Sequence, residues 1–400
     1  MNTKTAIIEI TSSEIKVLVG YFLNKQPIVV YTLRKPINAI VERGKIINLP
    51  LLVQELKSLK ELKDATAKIK LEIEEAIVIL PALGLEVYEK EKTTEVTSQS
   101  DIIEQLDVSN AVNLIRKEGI AKEQTIVDII PNYFELDNKK RYLQRPIGEK
   151  SISLSLSARI HVLPYAVYEP YKKAFLDAEI KVVRYFIAPH AASYFYTFNK
   201  LTPPSYLLVD LGSQLTSISL IGNEMLYSST FFNKGGEDLT NIIANELNIP
   251  FEEAEKIKRR YDYDHRELTF YPTIAKSVVD ETEKEYTTNH LNVIVKRFLD
   301  DYIVSLKQAI NTLMADHDEK YLKLPLVLTG GFTRLNYLQN ILEESFPDND
   351  IYIYVPKTIG ARHQTFINAL GGLIASQYYV AYIEEDRPLV ASLSRSSRGK

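Results

Sequence analysis

The stretch YLLVDLGSQLTS, residues 206–217, decides the fold expected for this chain. Three apolar residues run into Asp210, a Gly-Ser turn follows, and polar residues then alternate with apolar ones. This pattern predicts two strands joined by a tight turn, with a carboxylate at the mouth of the turn. Such a carboxylate can reach a cation or its water, and short turn residues let backbone N–H groups approach an anion. An ordinary surface hairpin is the alternative interpretation, because short motifs of this kind are common.

A second copy of the same layout stands near the start of the chain. Residues 6–20 read AIIEITSSEIKVLVG, which is an apolar run, the acidic residue Glu9, a short polar turn and a second apolar strand. Glu9 and Asp210 take equivalent places in the two copies, and this repetition indicates two related lobes. Two such hairpins that face each other across a cleft would form a clamp for phosphate groups.

Length and composition define a broad class of protein. At 400 residues the chain exceeds a single hydrophobic core, and 45% apolar residues suffice for packed lobes. The net charge of −4 gives no electrostatic basis for binding nucleic acid. The absence of cysteine excludes disulfides and thiol chemistry, and the six histidines lack the spacing of metal ligands, so no structural zinc site is expected. Without an apolar leader or a run of ~18 apolar residues, we expect a soluble intracellular protein.

The chain divides into segments with different patterns of apolar and polar residues. Residues 1–85 and 164–200 predict a first lobe of alternating strands and helices. Residues 86–163 predict an inserted α+β subdomain, either structural or an interaction module, whose strand at 151–162 has the alternation of an exposed sheet. After a proline-containing linker, residues 201–380 predict a second lobe, with a smaller subdomain at about 233–300. Residues 381–400 are predicted to be a polar, flexible tail.

Two glycine pairs mark candidate ligand contacts in the second lobe. In NKGGEDLT, residues 233–240, Gly235 and Gly236 open an amphipathic helix, and amides at a helix N-terminus favour phosphate. In VLTGG, residues 327–331, the glycines follow a buried strand and would let a planar ligand lie against the backbone. The lone His190 is interpreted as a structural residue.

The order and spacing of these motifs resemble the FtsA family of bacterial cell-division proteins, within the actin-like ATPase superfamily. EITSSEIKVLVG stands where the family has DIGTSKIKALVG, and VDLGSQLTSISL stands where it has VDIGGGTTDIAV. The segments APHAASYF, KGGEDLT, EEAEKIK, VLTGG and NALGGL follow in the family's order. The resemblance spans nearly the whole chain. It implies an α/β fold of two actin-like (ribonuclease-H-like) lobes, with the α+β insert in the first lobe.

By this resemblance, ATP would lie between the lobes. Asp210 would be the main catalytic carboxylate and would coordinate hydrated Mg²⁺, with Glu9 assisting. The other nucleotide contacts would be Thr11, Ser12, Ser13, Gly212, Ser213, Gln214, Gly235, Gly236, Lys256, Arg259, Gly330, Gly331 and Phe332. The resemblance also implies self-assembly into protofilaments, binding of the FtsZ C-terminal tail by the second lobe, and contacts of other division proteins with the insert 86–163. It implies a cytoplasmic protein peripheral to the membrane.

Several residues depart from the family pattern. In the first turn Thr11 replaces a glycine and Glu14 replaces a lysine, so a second carboxylate would repel phosphate unless Mg²⁺ intervenes or the side chain turns away. The second turn reads GSQLT instead of GGGT, and Ala188 replaces a glutamate that would orient the attacking water. We therefore expect ATP binding with slow or negligible hydrolysis, a weak ATPase at most. The tail lacks a wide apolar stripe, so only the resemblance predicts membrane attachment.

Two other functions are compatible with the same fold. A PilM-like scaffold would bind a peptide of a pilus or secretion membrane protein. The lack of an amphipathic tail favours it, whereas NALGGL and KGGEDLT favour FtsA. A sugar kinase would need a catalytic aspartate and a substrate loop that the sequence does not reveal.

Overall fold

The computed structural model describes residues 4–64, 69–117, 119–223, 225–260, 271–279, 281–315 and 323–383. These residues form two lobes and an inserted sheet, and their buried apolar side chains fall into three clusters. The predicted tail, 381–400, lies outside the described residues from position 384 onward.

The first lobe begins with an antiparallel meander that contains the first acidic hairpin. Up to residue 80 its elements are β1 (Thr5–Ile10), β2 (Glu14–Leu23), β3 (Gln26–Pro36), β4 (Val41–Glu42), β5 (Lys45–Ile46), α1 (Leu49–Lys57), β6 (Glu61–Asp64), β7 (Ile69–Glu72) and β8 (Glu75–Leu80). The Asn48 side chain caps α1 by accepting a hydrogen bond from the Leu51 N–H (3.2 Å). The helix ends at Lys57, and β6 and β7 then pair in antiparallel fashion.

The insert is a four-stranded antiparallel sheet with one helix. Its elements are β9 (Glu86–Glu95), α2 (Gln105–Lys117), β10 (Gln124–Leu136), β11 (Arg141–Tyr142) and β12 (Ser153–Pro164), with strand order β11-β10-β12-β9. The helix covers one face of the sheet over a separate apolar core. The expectation of an exposed strand at 151–162 is wrong: Arg159 and His161 are buried, because the other face packs against His190 and Tyr227 of the two lobes.

After the insert the first lobe is completed by two helices and a strand. These elements are α3 (Tyr165–Asp177), β13 (Lys181–Ile187) and α4 (Ala188–Phe198). The completed sheet has the order β13-β8-β1-β2-β3. β8 runs parallel to β1, β13 runs parallel to β8, and β2 and β3 continue the sheet in antiparallel fashion.

The second lobe repeats this topology. Its elements are β14 (Ser205–Leu211), β15 (Thr216–Gly222), β16 (Met225–Phe232), α5 (Gly236–Leu247), α6 (Phe251–Arg260), β17 (Thr273–Val279), β18 (Thr282–Thr287), α7 (Thr288–Met314), β19 (Leu326–Thr329), a 3-10 turn (Gly331–Arg334), α8 (Leu338–Ser345), β20 (Ile351–Ile353), a second 3-10 turn (Gln364–Phe366) and α9 (Ile367–Ile383). The main sheet has the order β20-β19-β14-β15-β16, in which β19 and β20 are parallel to β14 and the hairpin partners are antiparallel. The two acidic hairpins therefore occupy the same position in two equivalent sheets.

Helix α9 follows the second lobe in the chain but packs in the core of the first lobe. It packs on α4 and on β1, β2 and β8 of the first sheet. Gly371 lies so close to Ala191 that a Cβ would collide with the Ala191 carbonyl, and Gly372 faces Ile7 and Ile79. The small residues of α9 thus allow close docking, which places Asn368 between the two hairpins.

Candidate functional site

A cleft of about 1110 Å³ separates the two acidic hairpins. It is lined by the turns of both hairpins, by the loop that follows β19, and by residues of α5 and α6. The predicted site residues that line it are Glu9, Thr11, Ser12, Ser13, Asp210, Gly212, Ser213, Gln214, Gly236, Lys256, Arg259, Gly330, Gly331 and Phe332. Gly235 lies beside the cleft and is not part of its lining. The fold thus brings together residues that are more than three hundred positions apart along the chain.

The first turn is held by its own hydrogen bonds. The Thr11 hydroxyl donates to the Glu14 carbonyl (3.0 Å), as does the Thr11 N–H (3.0 Å). The Ser12 hydroxyl oxygen accepts from the N–H of Gly44 (3.1 Å), while Ser13 is exposed at the tip. Thr11 therefore closes the turn that the family builds with glycine.

Glu9 is buried, and both of its carboxylate oxygens accept hydrogen bonds from other side chains. Its Oε2 accepts from the Lys16 ammonium at 3.0 Å, and its Oε1 accepts from the Asn368 amide at 2.8 Å. Neither partner belongs to the predicted site. The hairpin itself could have revealed Lys16, because residues 9 and 16 are directly opposite in a hairpin with a turn at 11–13. Asn368 is brought next to Glu9 by the packing of α9 against the first sheet.

Asp210 lies half-buried at the end of β14. Burial raises its pKa to about 6, and the neighbouring Glu9 carboxylate adds to that rise, whereas the Lys16 charge and a hydrogen bond from Asn368 oppose it. A carboxylate with this raised pKa gains most from a cation that stabilises its ionised form. Among the residues that line the cleft, Asp210 is therefore the group best placed to hold a metal ion or its water.

The two glycines after β19 have different surroundings. Gly330 adopts φ +92°, and a Cβ there would collide with the Leu211 carbonyl and the Asp210 carboxylate. This glycine is required for packing beneath Asp210. The space beside Gly331 is open, with the Thr365 methyl at 4.0 Å from the position of a Cβ. Of these two glycines, Gly331 is therefore the one with open space beside its backbone.

The glycine pair before α5 packs against the second turn. The Gly236 N–H donates to the Gly212 carbonyl (3.1 Å), and the Glu237 N–H donates to the Ser213 carbonyl (2.7 Å). A Cβ on Gly235 would lie 2.5 Å from the Ser213 oxygen, so this position needs glycine for close approach. The first amides of the helix are therefore occupied by protein carbonyls.

The side chain of Gln214 links the two lobes. Its amide group donates to the Glu237 carboxylate (3.0 Å), and its Oε1 accepts from the backbone N–H of Arg43 in the first lobe (2.8 Å). Arg43 in turn donates through Nη1 to the carbonyl of Asn233 (3.1 Å). These bonds connect the turn of the second hairpin to the first lobe.

Helix α6 contributes charges to the opposite wall. Lys256 is exposed, and Arg259 donates to Glu255 at 2.7 Å while its side chain remains largely in solvent. Lys258, which is not among the predicted site residues, is more buried and donates to the Gly236 carbonyl and the Thr240 hydroxyl, both at 2.7 Å. Burial lowers the pKa of Lys258, although its ion pair with Glu255 works against this.

A second group of residues outside the predicted site lines the cleft on the side of the first turn. Arg34 of β3 and Arg334 of the 3-10 turn approach Nε2 of His363 at 3.2 and 2.9 Å. Burial lowers the pKa of His363, and the two guanidinium charges add to this effect, which is consistent with a neutral acceptor. Arg34 also pairs with Glu14 (2.8 Å), so the extra carboxylate of the first turn is compensated by an arginine.

These features define a class of protein: two duplicated lobes, each with an acidic hairpin, enclose a polar cleft, as in proteins of the actin fold. Solved structures confirm the fold. PilM in the "PilM-PilN type IV pilus biogenesis complex" superposes with a TM-score of 0.61 at 15% identity, over 94% of this chain and 98% of that one. MreB5 of Spiroplasma citri bound to AMPPNP superposes with a TM-score of 0.57 at 10% identity, over 96% of this chain and 99% of that one.

Sequence comparisons identify the relatives within this class. The model of the family "Cell division protein FtsA" matches residues 207–371. FtsA of Enterococcus hirae is 24% identical over 367 residues, which cover 91% of this chain and 80% of that protein. FtsA of Streptococcus pneumoniae serotype 2 is 23% identical over 366 residues, which cover 91% of this chain and 78% of that protein. The resemblance to FtsA is thus confirmed: the chain has the actin fold and is similar to FtsA proteins over most of its length.

Within the described ranges, no helix is long and apolar enough to cross a membrane.

Proposed function

We propose that this chain is an ATP-binding, filament-forming adaptor of bacterial cell division that hydrolyses ATP slowly or negligibly. The observation that carries the proposal is the cleft in which Asp210 and the turns of both hairpins converge. The similarity to FtsA proteins over 91% of the chain supports a role in cell division.

ATP with Mg²⁺ is the ligand that suits this cleft. Asp210 would hold the cation through water, and the turn residues Ser13 and Ser213 would face the phosphates. The open backbone at Gly331 would accommodate the nucleoside, next to Arg334 and Lys256. The related fold of MreB5, which was solved with AMPPNP, supports a nucleotide between the lobes.

Slow turnover follows from the groups around the phosphate position. Glu9 is tied to Lys16 and Asn368, so its carboxylate is not available as a base. At the start of α4, Ala188 lines the cleft where a glutamate would orient water, and an alanine side chain can neither accept nor donate a proton. The nucleotide would then act mainly as a structural ligand that holds the lobes together.

The proposed partners follow from the same relationship. The second lobe would bind the FtsZ C-terminal tail, other division proteins would contact the insert 86–163, and copies of the chain would form protofilaments. The protein would work at the cytoplasmic face of the cell membrane as a peripheral component, and nucleic acid is not a proposed partner.

A titration with fluorescent ATP and Mg²⁺ tests the nucleotide part. We expect saturable binding that Asp210→Ala abolishes, while the variant Asp177→Ala, on the exposed end of α3, binds like the unmodified chain. Phosphate release should remain far below ordinary enzyme rates of 1–10³ per second. Steady turnover at such rates, abolished by Asp210→Ala, would contradict the structural role.

A PilM-like scaffold is the second candidate function. The superposition on PilM over 94% of this chain supports it, and that protein was solved in a complex with PilN. Pull-down with an FtsZ tail peptide and, in parallel, with a PilN-type peptide distinguishes the two functions. Capture of the pilus-type peptide alone would favour the scaffold and reject the division adaptor.

A further inference from the structure

A buried polar cluster lies where the insert meets the first lobe. Asp128 of β10, His161 of β12 and His190 of α4 are all buried, and one potential ligand atom from each lies within 4.8 Å of the others. The two imidazole rings meet edge to face with centroids 4.9 Å apart. These residues are far apart in sequence, which is why the spacing of the histidines predicts no metal site.

Within the described part of the chain, the ring nitrogens of both histidines lack hydrogen-bond partners. Nδ1 and Nε2 of His161 and of His190 are fully buried, and none of them has a hydrogen-bond partner among the described residues. A buried polar group without a partner costs about 1–3 kcal/mol, so native structures leave few of them. Several such atoms that converge on one point therefore indicate a ligand that would satisfy them.

The protonation state suits a metal ligand. Burial lowers the pKa of His161 to about 3, and burial likewise lowers the pKa of His190 well below its usual range. The positive charges of Arg159 and Arg184 add to both effects. Both imidazoles are therefore neutral at physiological pH, and a neutral imidazole is the form that coordinates metal ions.

The nearby arginines are compensated by other groups. Arg184 pairs with Asp128 and lies over the ring of Phe186, 5.0 Å from its centroid. Arg159 pairs with Glu89 and lies over the ring of Tyr227, 4.0 Å from its centroid. The carboxylates of Asp128 and Glu89 thus reduce the repulsion that the two arginines would exert on a bound cation. An anionic ligand is less favourable, because the Asp128 carboxylate would face it in a medium of low dielectric constant.

We infer that Asp128, His161 and His190 form a binding site for a divalent transition-metal ion of the Zn²⁺ type. Two imidazoles and one carboxylate are a common ligand set for such ions, with a water in the fourth position. The ion would tie two strands of the insert to α4, the helix whose first residue lines the nucleotide cleft. It would therefore fix the orientation of the insert relative to the first lobe.

Metal analysis of the full chain, purified without a polyhistidine tag, tests this inference. We expect equimolar Zn²⁺ by elemental mass spectrometry, and Co²⁺ added to the chelator-treated protein should give the visible absorption of a tetrahedral nitrogen and oxygen site. His161→Gln and His190→Gln should each weaken Co²⁺ binding at least about tenfold. The matched control His290→Gln, at an exposed position on α7, should bind as the unmodified chain does.

Thermal unfolding supplies a second measurement. Chelation should lower the melting temperature of the unmodified chain, and added Zn²⁺ should restore it, since the ion binds the folded state. The inference would be overturned if the unmodified chain contained only trace metal, gave no Co²⁺ absorption and showed no thermal shift. It would also be overturned if His161→Gln bound Co²⁺ as tightly as the unmodified chain does. Because the Co²⁺ titration of the unmodified chain is decisive by itself, a variant that fails to fold does not obscure the result.

Discussion

Replacement of the carboxylate at Asp210 by an amide should stabilise the ligand-free protein in a pH-dependent manner. The pKa of this group rises from 3.8 to about 6 on folding. Since one pKa unit corresponds to ~1.36 kcal/mol, this rise represents about 3 kcal/mol by which folding disfavours the ionised carboxylate. The folded chain holds the proton more tightly, so the stability of the wild type falls as the pH rises from about 4 to about 6.

Asp210→Asn removes this cost because the amide does not ionise. We expect the unfolding free energy of the variant to exceed that of the wild type by up to about 3 kcal/mol at pH 8, and by roughly half as much at pH 5. Urea denaturation followed by circular dichroism at both pH values measures the difference. Mg·ATP should stabilise the wild type alone and remove the gain, since the proposed cation stabilises only the ionised carboxylate.

The matched control is Asp177→Asn at the exposed end of α3. Its effect on stability should be small and should not change between the two pH values. An Asp210→Asn gain that is equal at both pH values, or larger at the lower one, would refute the raised pKa. If Mg·ATP leaves the stability of the wild type unchanged while the pH dependence is as expected, only the proposed cation is refuted.

Three further substitutions test the hairpin, the contact between helices and the turnover rate. Lys16→Met should destabilise the fold by about 3–5 kcal/mol, because it leaves the buried Glu9 carboxylate without its ion-pair partner. Combination with Glu9→Gln should recover most of this loss in the same denaturation assay, and no recovery would argue against the ion pair. Gly371→Ala should lower the melting temperature strongly, because the added methyl group would collide with the Ala191 carbonyl of α4. The control Gly119→Ala has open space around it and should leave the melting temperature nearly unchanged, and equal effects of the two variants would contradict the close docking of α9. Ala188→Glu should raise phosphate release by at least about tenfold if only a water-orienting group is missing, and an unchanged rate with intact ATP binding would reject that explanation.

The local sequence patterns predicted the two hairpins and their equivalence. Apolar runs that lead into an acidic residue, followed by short polar turns, specify β1–β2 and β14–β15. The structure places Glu9 and Asp210 at matching registers, opposite Lys16 and Ser217. Such patterns are reliable because the pairing of neighbouring strands depends mostly on nearby residues. The glycines beside the second hairpin are also evident in the sequence, but their surroundings are not. Gly235 and Gly330 make room for protein carbonyls, which only the packed structure reveals.

The environment of strand β12 in the insert does not follow from its sequence pattern. The alternation in β12 predicts an exposed polar face, yet Arg159 and His161 on that face are buried against the two lobes. Periodicity tells which residues share a face of a strand and does not tell what covers that face. The same docking brings His161 to His190, a proximity that no spacing in the sequence indicates.

Short-range periodicity predicts the α/β class and the two acidic hairpins, and the order of the motifs carries the resemblance to FtsA. Three features are visible only in the folded chain: Glu9 is bound to Lys16 and Asn368, Gln214 links the lobes, and two histidines meet in a buried cluster. The physical reason is that ion pairing, desolvation and ligand geometry depend on distances through space. Those distances are set by the docking of α9 and of the insert onto the lobes.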